Sequence, residues 1–371
     1  MSIKIEIFFG VLFLCCLVLA FFNVNNFREN FFESTNFGEI SEQQDSNEAN
    51  DLLVTNTSSQ KREINFVGDI MLGRDVERHI VSNGLNYPFA KINFNDEISY
   101  SVGNFESALP EKHIPTPNNT FRFSVNEYFL PSLREAGFTH LSVSNNHTFD
   151  YGLAGFNNLV TKLWDNDLIP FGHPSILSTS SVAVVTVDNI KIAIIGVHTL
   201  YNPPTKRNIE EVLAFASSIS DMQVVYIHWG EEYNEKQSNS QRDLAKLFAD
   251  AGVEIIIGHH PHVVQGIEKI GKALVFYSLG NYIFDQYFSS AVQNGLVLTI
   301  SFTDFPKVML TPVTSQNSKA QPQKMDDQMS LSFLSSLAQR SDDNLKSAVV
   351  SGTVPFDFTL ATSSEVVIMT E

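Results

Sequence analysis

Five times along this chain an apolar run of strand length ends abruptly in side chains suited to binding metal or moving protons. The run 64–67 ends in Gly68-Asp69, and 98–102 leads into Asn104-Phe105-Glu106. The run 138–143 leads into Asn145-Asn146-His147, and 224–227 into His228-Trp229-Gly230. The run 253–257 leads into Gly258-His259-His260-Pro261-His262. Each run reads as a buried strand. Helical spacing lies between them, at 126–136, 153–164 and 240–251, the last with Leu244, Leu247, Phe248 and Ala251 in register. Strands alternating with helices predict an α/β fold. Ligands in such folds gather at the carboxyl ends of strands, where all five clusters sit. Asp188-Asn189 and Gly271-Lys272 each separate two strand-like runs, which predicts hairpins and mixed sheets.

A chain of 371 residues with 43% hydrophobic content supports one large domain plus flanking segments. A net charge of -17 argues against nucleic acid as a partner, because a phosphate backbone needs a basic surface. The two cysteines, Cys15 and Cys16, both lie in the N-terminal apolar run. The rest of the chain therefore has no disulfide and no cysteine-based zinc site, and oxygen and imidazole must hold any metal.

Four segments follow from composition. Residues 1–26 contain the apolar run 7–22, preceded by Lys4. No A-x-A pattern ends the run, and bulky Leu14 precedes Cys15, which weighs against a cleaved leader or a lipoprotein signal. The run is read as an uncleaved, single-pass membrane anchor with the bulk of the chain extracytoplasmic. Residues 27–62 are an acidic, Asn- and Ser-rich linker. Residues 63–313 carry every chemical cluster, and 314–371 form an extension with an amphipathic stretch at 329–337 and β-like pieces such as 366–369.

The strand-end set is Asp69, Glu106, Asn146, His147, His228, His260 and His262. Carboxylates, one amide oxygen and imidazoles suit one or two divalent cations such as Mn, Fe or Zn. A carboxylate can bridge two metals, and His147 beside Asn146 is placed to protonate a leaving oxygen. Each residue also has a plainer reading. Asp69 could cap a helix, Glu106 could be a surface acid, and Asn145 to His147 could simply form a turn. His228 could be a hydrogen-bonded core histidine. Strand alternation points His259 away from His260, so it is left out of the ligand set. Arg74, Glu231 and Asn281 are candidates for substrate contact at the pocket edge, with surface or loop-shaping roles as the alternatives.

The motifs Gly68-Asp69-Ile70-Met71-Leu72-Gly73, Asn104-Phe105-Glu106, Asn145-Asn146-His147 through Asp150-Tyr151-Gly152, His228 to Tyr233, Gly258 to Val263 and Tyr277 to Asp285 resemble, in order and spacing, those of the capsule synthesis protein CapA family. The similarity covers about residues 63–312. It implies a fold like the calcineurin-like metallophosphoesterases: an α/β/β/α sandwich with mixed sheets. It also implies a place in the synthesis, export or anchoring of poly-γ-glutamate or a related capsule polymer. By the same resemblance Asp69, Glu106, Asn146, His228, His260 and His262 are metal ligands, with Glu106 in the bridging position, and His147 with Asp69 serves catalysis. Met71 stands where the wider superfamily has a metal-binding histidine. A thioether is a poor ligand for hard metals, so a depleted or mononuclear centre is expected. Three functions remain open: a metallohydrolase acting on a phosphoester or envelope polymer, a non-catalytic component of a capsule synthesis complex, and a metal-independent acid/base enzyme using the same pocket.

Overall fold

The computed structural model describes residues 62–92, 94, 98–117, 120–302 and 305–358. The apolar run 7–22, the linker to residue 61 and the piece 366–369 lie outside the described residues. Among the described residues no helix is long and apolar enough to cross a membrane.

In the first sheet β1 (Glu63–Ile70), β2 (Ile98–Phe105), β3 (His140–Ser142) and β4 (Ile169–Phe171) run parallel. Beyond β1 the sheet turns antiparallel through β12 (Asn294–Ser301) and β13 (Lys307–Thr314), and β14 (Gln323–Lys324) and β15 (Thr353–Pro355) both pair with β13. The short β11 (Asn281–Ile283) pairs in parallel with the end of β1. In the second sheet β6 (Ile190–His198), β7 (Met222–His228), β8 (Ile255–His259) and β10 (Ala273–Phe276) are parallel. Hairpins to β5 (Val182–Val187) and β9 (Ile267–Ile270) close its two edges. Asp188 and Asn189 turn the first hairpin at φ 50° and 67°, the paired positive angles a two-residue turn needs. The second hairpin begins only at Ile267, because the residues before it form the turn that carries His262.

Period-two alternation builds three cores. Ile64 and Phe66 of β1, Ile192 and Ile194 of β6, Val224 and Tyr226 of β7 and Ile255 and Ile257 of β8 meet between the sheets. The intervening residues Ala193, Ile195, Val225, Ile227 and Ile256 face outward. There they meet Ile209, Val212 and Leu213 of α4 (Lys206–Ile219) and Phe248 of α5 (Asn239–Asp250). The outer face of the first sheet packs against α1 (Arg74–Asn83), α2 (Leu130–Glu135) and α3 (Gly152–Asp165), through Val76, Leu133 and Leu159 among others. Helix α2 is shorter than the periodicity predicts. Pro131, which lacks an N–H, confines the α-helix to a start at Leu130, and 127–129 is a 3-10 turn. After the brief α6 (Ser290–Gln293), the segment set apart by composition supplies α7 (Asp327–Gln339) and α8 (Lys346–Val350). Leu334, Leu337, Val349 and Val354 from this segment enter the core between the sheets. The described residues thus form one unit, with the two sheets face to face and helices on both outer sides.

Candidate metal centre

The carboxyl ends of β1 and β2 in one sheet and of β7 and β8 in the other converge, and each delivers a polar side chain. Two close backbone approaches aim them. A Cβ on Gly68 would lie 1.9 Å from the Gly280 carbonyl oxygen, so only glycine lets β1 shift register there and turn Asp69 inward. A Cβ on Gly258 would lie 2.0 Å from the Tyr277 carbonyl oxygen, so β8 can pass Tyr277 just before the histidine turn.

Asp69 is wholly buried and accepts from Asn104 Nδ2 at 2.7 Å. Its other oxygen lies 3.2 Å from His262 Nδ1. Burial acts to raise its pKa, but the hydrogen bond and charge of His262, helped by His259 and Asn104, hold it below the ordinary value. The His262 imidazole is buried too, which disfavours its charge, yet the negative charges of Glu106 and Asp69 lift its pKa to about 9. Asn281 Oδ1 also accepts from His262 Nδ1, at 2.9 Å, so Asn281 orients this ring. That leaves Nε2 facing Glu106 Oε1 at 3.8 Å. His228 Nδ1 lies 3.2 Å from Asn104 Nδ2, and its Nε2 lies 2.8 Å from Asn146 Oδ1. Burial and the neighbouring histidines hold His228 well below its usual pKa, and burial with His262 brings His260 to about 3.

Glu106, just beyond β2, is the residue the rest surround. It is wholly buried, and neither carboxylate oxygen has a hydrogen-bond partner. Burial pushes its pKa well above the carboxylate range, against the pull of His262. Ligand atoms of Glu106, His260 and His262 lie within 4.8 Å of one another, as do those of Asp69, Glu106 and His228. Glu106 is common to both groups. A buried carboxylate without a donor costs about 1–3 kcal/mol or more, and native structures rarely leave one so. The residues fit a divalent cation: the orphaned Glu106 oxygens converge with imidazoles of His228, His260 and His262 and with the Asp69 carboxylate, and His260 Nδ1 is unpartnered.

His147 stands beside this cluster. Its Nδ1 is 2.8 Å from Asp150 Oδ2, and its Nε2 faces Glu106 Oε1 at 3.8 Å. Phe123 stacks on its ring at 3.7 Å, and the Phe123 amide donates to the same Asp150 oxygen at 2.7 Å. The structure therefore brings Asp69, Glu106, Asn146, His147, His228, His260 and His262 together. The three proposed contact residues are placed differently. The Arg74 guanidinium is buried, paired through Nε and a terminal nitrogen with Asp285, and donates to the Thr120 carbonyl. Asn281 is buried behind His262, and Glu231 is exposed on the loop after β7. The Met71 sulfur accepts from the Gly73 amide at 3.0 Å, and its side chain belongs to the core under α1.

Sequence reading passed over several participants. His259 is buried with its Nδ1 3.6 Å from Asp69 Oδ1, because the alternation that turns it from His260 turns it toward β1. Asn104, Asp150 and Asp285 all fall inside the CapA-like motifs, and the structure gives each a supporting partner: Asp69, His147 and Arg74. Position alone was the signal available for them: Asn104 two residues before Glu106, Asp150 three after His147.

Fold and centre define a two-sheet α/β protein with a buried imidazole–carboxylate cluster between the sheet ends. The family described as bacterial capsule synthesis protein PGA_cap matches residues 63–286, and the chain belongs to it. The capsule biosynthesis protein CapA of Bacillus anthracis is 31% identical over 66% of this chain and 65% of its own length. The PGA biosynthesis protein CapA of Bacillus subtilis (strain 168) is 29% identical over 79% of this chain and 81% of its own. Among solved structures, a hypothetical protein from Thermus thermophilus aligns with a TM-score of 0.45 and 15% identity over 67% of this chain and 97% of that one. A 5'-nucleotidase precursor from the same organism aligns with a TM-score of 0.39 and 12% identity over 78% and 57%.

Proposed function

We propose that this chain is a membrane-anchored, extracytoplasmic metal-dependent hydrolase of the metallophosphoesterase kind, acting in the synthesis, export or anchoring of a capsule polymer such as poly-γ-glutamate. The observation that carries the reading is the buried, donor-free carboxylate of Glu106, ringed by imidazoles. Asp69, Glu106, Asn146, His228, His260 and His262 would hold one or two divalent ions, with Mn, Fe or Zn suited to the donor set. When bound, such an ion polarises a phosphoryl or acyl oxygen and makes water a better nucleophile at neutral pH. His147 supplies the proton for the leaving oxygen: Asp150 fixes Nδ1–H, Phe123 covers the ring, and Nε2 faces the cluster. Asn104 and Asn281 orient His228 and His262 from behind. The capsule assignment draws on the names of the Bacillus relatives, and the anchor on the apolar run 7–22.

Two measurements on the full chain test this. Metal content of the purified protein should fall in Asp69→Asn and His260→Ala. Turnover of p-nitrophenyl phosphate should drop about 10- to 100-fold in Asp150→Asn while metal content holds. Wild-type turnover unchanged by chelator would sink the metal-dependent reading. A non-catalytic role in a capsule synthesis complex is the second reading, favoured by Met71, whose thioether accepts from the Gly73 amide where a hard-metal ligand would be needed. Normal polymer display in cells carrying His147→Ala would support it.

A further inference from the structure

The candidate hydrolase site has an acidic surround and a nearby arginine that is already spent. The charge of Glu232 reaches Glu106 and His262, while Arg74 is locked to Asp285. This pattern runs through the protein. Six of the eight described arginines, Arg62, Arg74, Arg78, Arg207, Arg242 and Arg340, pair with a carboxylate. Arg134 and Arg122 pair with none among the described residues, and of the two Arg122 adjoins Phe123, which stacks on His147. Arg122 is exposed, yet it is held in place: Nε and one terminal nitrogen donate to the Asp150 carbonyl at 3.2 and 2.8 Å, and the guanidinium lies 4.8 Å from the centroid of the Tyr151 ring. Its position ties it to the proton donor. The next residue, Phe123, stacks on His147, and the residue that anchors Arg122 through its carbonyl holds His147 through its carboxylate. A fixed guanidinium with its remaining donors turned to solvent, in a chain of net charge -17, is built to receive an anion rather than to balance surface charge.

We infer that Arg122 seats an anionic group of the substrate, a phosphate or carboxylate oxygen pair, on the His147 side of the site. The inference rests on the hydrolase reading for its place in catalysis, while the anion seat itself stands on the arginine's geometry. The seat orients the substrate so that the leaving oxygen meets His147. On the His262 side the charge of the exposed Glu232 repels a second anion.

The test uses the full chain loaded with Mn2+. With p-nitrophenyl phosphate, Arg122→Gln is expected to raise KM about 10- to 100-fold while kcat changes less than about 3-fold. Arg122→Lys should fall between, because an ammonium keeps the charge and loses the fork. With the neutral ester p-nitrophenyl acetate, KM should be the same in all three proteins. Calorimetric titration with inorganic phosphate and, separately, glutarate reads the seat without catalysis, and its preference separates phosphate from carboxylate as the source. Binding that weakens about 10-fold in Arg122→Gln supports the seat even if the wild type turns over neither ester, an outcome that fails the hydrolase reading alone. Equal anion affinity in wild type and Arg122→Gln, or no anion binding by the wild type, overturns the inference.

Discussion

Replacing Glu106 by glutamine separates a cation site from an ordinary buried acid. The side chain keeps its size, and neither form finds a hydrogen-bond donor where both carboxylate oxygens are unpartnered. Without metal, wild type and Glu106→Gln should therefore differ by no more than about 1 kcal/mol. With metal they should part. A ligand present at about 100 times its Kd stabilises the folded state by about 2.7 kcal/mol, which at this chain length raises Tm by about 5 °C. Glu106 belongs to both clusters of converging ligand atoms, so its loss weakens every cation the site can hold. A 100-fold loss of affinity leaves about 0.4 kcal/mol at the same concentration, less than about 1 °C. The assay is differential scanning calorimetry of both proteins in chelator and in excess Mn2+, Zn2+ or Fe2+. Identical wild-type melting in chelator and in every metal would refute the reasoning. So would a metal-driven shift retained in Glu106→Gln. A variant melting far below wild type in chelator would make Glu106 a structural residue instead.

Three further outcomes follow from particular side chains. Burial, with the charge of Arg134, lowers the His140 pKa to about 4 from an ordinary 6.5. The folded state thus resists protonation. The His140 contribution is full above the unfolded value and is lost as pH falls from 6.5 through about 4, on the order of 3 kcal/mol in all. Urea melts across this range should show a shallower loss in His140→Gln, and parallel profiles would contradict it. Leu337→Ala, in α7, should cost about 2–5 kcal/mol because Leu337 sits wholly buried in the core between the sheets. A cost below about 0.5 kcal/mol would mean that the segment after Thr314 packs only loosely. Gly258→Ala should lower both Tm and metal content, since its Cβ would meet the Tyr277 oxygen at 2.0 Å and the Trp229 ring nitrogen at 2.4 Å. Unchanged metal content at lowered Tm would detach the glycine from ligand placement.

The strand ends were legible because a buried strand alternates every second residue and then stops, so a carboxylate or imidazole at the break stands out. That rule locates Asp69, Glu106, Asn146, His228, His260 and His262, and the structure gathers them. It does not say which polar groups support them. Arg74 looked like a substrate contact until folding placed Asp285, 211 residues further on, against its guanidinium. Arg122 offers no pattern in sequence, since its two anchors are a backbone carbonyl and a ring face. His259 was excluded by correct alternation applied to the wrong partner: it faces away from His260 and toward Asp69 on the other sheet. The extension after Thr314 looked separate because its text is Gln- and Ser-rich. Its few apolar residues, Leu334, Leu337 and Val354, are enough to join it to the core.

Local strain points to the same place as the unpaired carboxylate. Eight described residues other than glycine have positive φ, and four of them, Arg74, Tyr233, His260 and His262, surround the cluster. Three of the other four are Asp167, Asp188 and Asn189, types that tolerate this region in turns. Histidine tolerates the left-handed well too, where His262 sits at φ 56°, but His260 at φ 95° lies outside that well and costs on the order of 1–3 kcal/mol. The Tyr233 amide donates to the Pro261 carbonyl at 2.8 Å, which braces the strained turn between the two histidines from outside. Packing alone gives no reason to strain His260 beside a carboxylate with no donor of its own. A bound cation gives one reason for both, because it uses the imidazoles and the carboxylate together and its binding energy offsets the strain and the burial at once.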